Sequence, residues 1–457
     1  MISVVAVLAG CGWFERDASP TPEPPPPQVP LAARDVPIPE GPNVVLIIGC
    51  TVRKDQLTPY GGPPELTPFL GGMAKRGALF ETAIDAAPWT RPGHTAVLTG
   101  NHAAHIGMIE PSQQINSRKL AEEVTTVAEH LYGAGYATVG MTANPNLNAL
   151  FGFSQGFEQY YEASGLWRDV GTIKVPGRTM AETAAQMLDR RPEPARPFYL
   201  QMTLVDAHAP YPRNPHQAKA LQPDGAPKSV GSYRVGLQRF DAAIQHLQTL
   251  LGERGYTEEN TLFMVVNDHG EGLHWPTKAH SVEHGYALYE TSVGMPWIVS
   301  GPGIAKDHRI GGLASQVDVM PTLNGLLGID GYTGPGQDWS AQLRGVSDKT
   351  TRTRAWVDTW FWESHRAAIY TEALACFDQF KKPRRERYSH PSPYCYNRVS
   401  DPHGLEPLPP VASLLEELHA WNRATKDTYE AWPHTADTVV DDDTTRQLEA
   451  LGYVEPE

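Results

Sequence analysis

Five short segments of the chain carry the residue types that cleave or transfer oxyanion esters. Asn267-Asp268-His269-Gly270-Glu271 offers a carboxylate and an imidazole side by side, a pair that can hold a metal ion. Pro88-Trp89-Thr90-Arg91-Pro92-Gly93-His94-Thr95 reads as a helix start, because Pro92 suits a first helical turn. Thr90 then stands at the helix N-terminus, where free N–H groups and the macrodipole favour an anion. A hydroxyl there could attack a phosphoryl or sulfuryl centre bound in the same place. Gly49-Cys50-Thr51-Val52-Arg53-Lys54-Asp55 and Asp206-Ala207-His208-Ala209-Pro210-Tyr211 add a thiol, cations and another imidazole. His284-Gly285, ahead of Leu288-Tyr289-Glu290, adds one more. Singly, each has an ordinary explanation: a turn with a hydrogen-bonded histidine, a threonine helix cap, a core imidazole. Their joint presence in one chain points to chemistry.

Three of these segments directly follow continuous apolar runs, at residues 44–48, 198–204 and 262–266. Such runs suit strands buried on both faces, and similar ones recur at residues 137–141 and 297–299. Helical patterns lie between them. Val124, Val127, Ala128 and Leu131 share a face ahead of Gly133 and Gly135; Leu237, Phe240, Ile244, Leu247 and Leu251 do so ahead of Gly252. Strands alternating with helices predict the α/β class, with a mainly parallel central sheet flanked by helices. In such sheets ligands collect at the carboxyl ends of the strands, where these loops fall. From about Thr350 the pattern loosens into mixed aromatic, Pro and basic residues, with helices expected over 411–421 and 444–454.

Hydrophobic residues are 40% of the chain and charged residues 20%, a globular balance. No apolar run approaches the roughly 18 residues of a membrane span. The formal charge of −14 argues against a nucleic-acid partner. It also gives an anionic ester no general attraction, so such a substrate needs local positive charge at the site. Cys11 ends a short apolar stretch and follows Leu8-Ala9-Gly10, a small-residue cleavage pattern, although no Lys or Arg precedes it. This resembles the lipobox of bacterial lipoproteins. It predicts an exported chain, periplasmic or cell-surface facing, anchored to a membrane through a lipid on Cys11. The expected organisation is a signal segment at 1–11, a Pro-rich linker at 12–41, an α/β domain at 42–349 and a C-terminal subdomain at 350–457. Cys376 and Cys395 could pair in an oxidising compartment or stay as two buried thiols.

The segments together resemble the sulfatase family of the alkaline phosphatase superfamily. The resemblance is carried by Asn43-Val44-Val45-Leu46-Ile47, Thr51-x-Arg53, Pro59-Tyr60-Gly61, Pro88-Trp89-Thr90-Arg91-Pro92-Gly93-His94 and Leu98-Thr99-Gly100. Asp206-x-His208-x-Pro210-Tyr211, Asp268-His269-Gly270-Glu271-Gly272, His284-Gly285-x-x-Leu288-Tyr289-Glu290 and the closing Leu448-Glu449-Ala450-Leu451-Gly452-Tyr453 extend it. It implies an alkaline-phosphatase-like fold and a divalent cation, Ca²⁺ or Mg²⁺, that neutralises the oxyanions of a small-molecule, glycan or lipid ester. By motif position it implies Asp268 and His269 as metal ligands and Thr90 as nucleophile. His94, His208 and His284 would contact substrate or protonate the leaving group, with Arg53 and Arg91 as further candidates for holding the anion.

Three positions depart from the family pattern. Cys50 stands where the family has a metal-binding Asp, and a thiolate is a soft ligand that suits Ca²⁺ or Mg²⁺ poorly. Either Cys50, Asp268 and His269 form a softer site for Zn²⁺ or Mn²⁺, or the substitution only weakens metal binding, or the site is broken. In the last case the domain is a catalytically inactive lipoprotein that binds a glycan, lipid headgroup or protein. Cys50 is also a candidate redox-sensitive thiol, given Arg53 and Lys54 nearby. Thr90 stands where strict sulfatases mature a Cys or Ser to formylglycine, so no formylglycine is expected. His94 stands where they have an Arg, and an imidazole is cationic only when protonated.

Overall fold

The computed structural model of the protein describes residues 36–109, 118–163, 174–276, 284–361, 364–381, 392–432 and 438–451. Cys11, the linker before residue 36 and the last residues of the closing motif lie outside the described residues. The strands are β1 Asn43–Gly49, β2 Ala78–Ile84, β3 Ala137–Thr142, β4 Gln159–Glu162, β5 Phe198–Leu204, β6 Thr261–Asn267, β7 Trp297–Ser300, β8 His308–Ser315, β9 Ala355–Phe361, β10 Ser364–Tyr370, β11 Leu374–Lys381 and β12 Tyr394–Asn397. The helices are α1 Pro68–Arg76, α2 Thr90–Thr99, α3 Val127–Gly133, α4 Gly177–Asp189, α5 Pro215–Leu221, α6 Lys228–Gly252, α7 Glu290–Val293, α8 Val319–Leu327, α9 Ser340–Leu343, α10 Ala412–Ala431 and α11 Asp442–Ala450.

Eight strands form one sheet in the order β4-β3-β5-β1-β6-β7-β2-β8. The apolar runs are its centre. Along β1, Val45 and Ile47 pack into one core with α1, α4 and α6, while Val44, Leu46 and Ile48 pack into a second with α2, α3 and α8. Both faces of the strand are therefore buried, which is why its sequence shows no polar alternation. Parallel pairing joins β4, β3, β5, β1 and β6; β7 runs antiparallel to both β6 and β2. A run as short as β7's carries no signal of its direction, so the reversal is a tertiary result.

Three helix expectations shift, the one expected over 444–454 being α11 at Asp442–Ala450 among the described residues. Val124 lies outside α3, because Thr126 caps that helix: its hydroxyl accepts from Glu129 N while the Glu129 side chain accepts from Thr126 N. The Thr-x-x-Glu spacing was the signal for that boundary. The helix expected from residue 411 starts at Ala412 and runs on to Ala431.

A second, antiparallel sheet has the order β12-β11-β10-β9. One face packs with Ile84, Leu288, Val293 and Leu313 of the larger unit, and the other receives Leu414 and Leu418 of α10. Cys376 and Cys395 stand directly opposite on β11 and β12 and are joined by a disulfide. No helix of the described residues is long and apolar enough to cross a membrane.

Candidate active site

The site arises from three neighbouring strands. Gly49 of β1 pairs with Leu204 of β5 on one side and Asn267 of β6 on the other, so the next residues of all three strands leave the sheet together. Those residues are Cys50, the loop to His208, and Asp268-His269. Helix α2 closes the site from above. Gly93 sits where a Cβ would lie 2.3 Å from the Asp268 carbonyl oxygen, so only glycine lets the first turn of α2 come this close. That approach places Thr90, the first residue of the helix, over the β6 loop.

Cys50 Sγ, an Asp268 carboxylate oxygen and a His269 ring nitrogen all lie within 4.8 Å of one another, and all three residues are fully buried. Asp268 is held by one oxygen. Its Oδ1 accepts from Thr51 N at 3.1 Å and His269 N at 2.8 Å, while Oδ2 is buried with no hydrogen-bond partner. Thr51 adopts φ of +60°, unusual for a β-branched residue, and that conformation turns its N–H toward Asp268. His269 Nδ1 lies 2.8 Å from the Gly270 carbonyl oxygen, so Nδ1 carries the proton and donates it. Nε2 then keeps its lone pair, 3.5 Å from both Asp268 Oδ2 and Thr90 Oγ1. An imidazole with one N–H fixed on a backbone carbonyl and the other nitrogen directed at a carboxylate is prepared for a metal. Burial holds His269 far below the usual imidazole range, so it stays neutral.

Burial likewise pushes the Asp268 carboxyl up to about 6, and raises the Cys50 thiol, which the Asp268 charge raises further. Asn144 Nδ2 donates to Cys50 Sγ at 3.4 Å, and Thr90 Oγ1 lies 3.8 Å from the same sulfur. A buried carboxylate oxygen without a donor, an imidazole lone pair and a sulfur with an N–H donor behind it form a donor set that fits a cation. The redox reading of Cys50 is not what this environment favours: Arg53 and Lys54 are turned elsewhere, and a raised thiol is less reactive.

The imidazoles continue the site outward. The His269 and His284 rings are 4.6 Å apart and the His284 and His208 rings 5.1 Å. His284 Nδ1 lies 3.4 Å from Glu271 Oε2, to which Tyr211 also donates at 3.3 Å. His94 serves differently. Its Nδ1 lies 3.0 Å from the Thr90 carbonyl oxygen and must donate to it, so Nε2 accepts from Thr203 Oγ1 at 3.0 Å. Burial lowers it to about 4, and with both nitrogens engaged it is a neutral brace for the first turn of α2. The two arginines are structural neighbours of the site. Arg53 is fully buried, paired with Asp55 at 2.8 Å and donating to the Trp275 carbonyl at 2.9 Å; the Arg91 guanidinium lies 3.6 Å from the Phe151 ring centre. Glu271, Asn144 and Thr203 carry no role in the sequence reading. Glu271 had a signal, its place in Asp268-His269-Gly270-Glu271, and Asn144 had one in the family-like Asn144-Pro145-Asn146-Leu147.

The family model described as Sulfatase matches residues 42–329, more than half of the chain. Arylsulfatase A of Homo sapiens is 25% identical over 424 residues, covering 79% of this chain and 82% of that protein. Among solved structures, a 2-O GAG sulfatase superposes with a TM-score of 0.66 at 16% identity, covering 92% of this chain and 98% of the other. A phosphonate monoester hydrolase from Silicibacter pomeroyi does so with a TM-score of 0.60 at 15% identity, covering 85% and 96%. With its mainly parallel sheet, its site at the carboxyl ends of β5, β1 and β6 and the family match across the larger unit, the chain belongs to the sulfatase family.

Proposed function

We propose that the protein is a metal-dependent hydrolase or transferase of phosphate, phosphonate or sulfate esters in which the Thr90 hydroxyl is the nucleophile. The observation that carries this reading is the position of Thr90 Oγ1. It stands at the first residue of α2, 3.5 Å from His269 Nε2 and 3.8 Å from Cys50 Sγ, against the cluster that fits a cation. A divalent cation held by Cys50, Asp268 and His269 would supply positive charge to the ester's non-bridging oxygens. The helix N-terminus adds partial positive charge at the same point, a local attraction for an anion that the overall charge of −14 does not provide. His94, braced by Thr203, fixes the Thr90 carbonyl and hence the hydroxyl's direction. Glu271 orients the His284 imidazole, and the His284–His208 pair is placed to pass a proton to the leaving oxygen. Attack by Thr90 breaks the Oγ–H bond, its proton leaving to solvent, forms a bond from Oγ to phosphorus or sulfur and breaks the ester bond on the opposite side, where the leaving oxygen takes a proton from the His284–His208 pair; water or an acceptor alcohol then takes the group, and Oγ regains a proton.

A threonine hydroxyl favours phosphate or phosphonate over sulfate, because the formylglycine route is closed to it. Turnover of aryl phosphates, aryl phosphonates and aryl sulfates by the full chain tests this. Thr90→Ala is expected to lower turnover by roughly 10³-fold or more, while Thr90→Ser retains much of it. Turnover unchanged in Thr90→Ala would remove Thr90 from the role. Sulfate esters turned over faster than both phosphorus esters would reverse the substrate order.

A further inference from the structure

We infer that Cys50, Asp268 and His269 bind a borderline transition ion of the Zn²⁺ type through a thiolate, in place of the hard Ca²⁺ or Mg²⁺ that an all-oxygen site would select. The inference rests on these three residues being the metal ligands, but not on Thr90 being the nucleophile. Hard cations bind through oxygen and tolerate few other donors, whereas Zn²⁺ takes sulfur, imidazole nitrogen and carboxylate oxygen together. That is the donor set here: one sulfur, one nitrogen lone pair and one carboxylate oxygen without a hydrogen-bond partner, all fully buried.

Three features beyond donor identity support it. The spacing within 4.8 Å is small enough that the atoms need draw in by only about an ångström to reach ligand distances of roughly 2.0–2.3 Å. His269 is fixed in the tautomer that presents Nε2, by its 2.8 Å bond to the Gly270 carbonyl. Asn144 Nδ2 donates to Cys50 Sγ at 3.4 Å, and an N–H donor stabilises a thiolate more than a thiol. Asn144 is itself held, its Oδ1 accepting from Asn146 N at 3.0 Å. Three protein ligands leave a fourth position of a tetrahedral ion open, the arrangement of catalytic rather than structural zinc. Binding breaks the Cys50 S–H bond, forms a metal–sulfur bond and releases the proton to solvent.

The test uses the full chain, stripped with a chelator and titrated with Co²⁺ as a spectroscopic substitute. One Co²⁺ per chain is expected, with visible d–d bands of a tetrahedral site and a near-ultraviolet sulfur-to-cobalt charge-transfer band. Equimolar Zn²⁺ should displace it and excess Ca²⁺ should not. In Cys50→Asp the charge-transfer band should vanish, and Zn²⁺ affinity should fall by more than the roughly 10–100-fold that outer-sphere changes cost, with Ca²⁺ gaining. X-ray absorption on the Zn²⁺-loaded wild-type chain gives a readout independent of any variant's folding: one sulfur at about 2.3 Å is expected. An oxygen- and nitrogen-only shell, or Ca²⁺ displacing Co²⁺ as well as Zn²⁺ does, would overturn the inference. Thiolate binding without ester turnover would uphold it while defeating the catalytic reading above.

Discussion

At the carboxyl ends of β5, β1 and β6, burial surrounds a facing group of carboxylate, imidazole and thiol; in the β9–β12 sheet it surrounds mainly rings, although Ser364 Oγ and His365 Nε2 of β10 are also buried without hydrogen-bond partners. Asp268 Oδ2, Asp85 Oδ2 and Asn267 Oδ1 are buried without hydrogen-bond partners beside the candidate site, and Thr51 holds a left-handed backbone. The smaller sheet stacks Phe377 on Tyr394 at 4.9 Å and on Tyr396 at 5.5 Å, stacks Trp356 on Trp421 of α10 at 5.3 Å, and ties β11 to β12 by a disulfide. Burial of unpaired polar atoms and strained backbone opposes folding, whereas ring packing favours it. The difference teaches that the first region is organised for a ligand and the second for support. Substitutions should therefore separate activity from stability in opposite directions.

The largest separation is expected at Asp268. Asp268→Asn should lower turnover at least about 10²–10³-fold and weaken metal binding. Yet it should leave the metal-free protein as stable as wild type or more so, because it removes a charge from a buried site. A fall in the melting temperature of the metal-free protein, of the size a core cavity gives, would break the comparison.

Next in size is the disulfide, which closes a loop with a sequence separation of 19. Replacing Cys376 and Cys395 together by alanine should cost about 2–4 kcal/mol in denaturant unfolding, with turnover unchanged well below the melting range. If turnover falls while the fold persists, the smaller sheet does more than support.

The smallest effect concerns an exception inside the second region. Asp358 of β9 is buried, accepts only the Trp360 indole N–H at 3.0 Å among its side-chain hydrogen bonds, and burial raises its carboxyl to about 7. A carboxyl raised in the folded state binds more protons folded than unfolded. Its penalty therefore appears as pH rises above the unfolded value of about 4 and is complete above the folded value. Asp358→Asn should raise the free energy of unfolding, read by denaturant titration, more at pH ~8 than at pH ~5, by on the order of 1–3 kcal/mol. A pH-independent difference between Asp358→Asn and wild type would show that the carboxyl is not carrying the penalty.

Much of this arrangement was legible in the chain. Continuous apolar runs marked β1 and β6, and a mainly apolar one broken by Gln201 and Thr203 marked β5, because strands covered on both faces leave little room for polar alternation. The loops after them held Cys50, His208, Asp268 and His269 in plain view. β2 and β8 were not legible: β2 interrupts its apolar run with Glu81 and β8 with Arg309, as strands near or at the sheet's margin do. His94 was read as a group facing substrate, but its two hydrogen bonds make it a brace, and only the position of Thr203 on β5 shows that.

By itself, the sequence determined the residue types and their order: apolar runs that must be buried strands, a hydroxyl at a helix start, and a thiol where the family pattern has a carboxylate. These follow from local propensity and side-chain chemistry, which act along the chain. Tertiary structure alone decided which of these groups meet. The registers of β5, β1 and β6, the close approach permitted by Gly93, the tautomer of His269 and the pairing of Cys376 with Cys395 each depend on contacts between residues far apart in sequence. Such contacts form only when the packed sheet brings the residues together, so Cys50 has meaning as a ligand only beside Asp268 and His269.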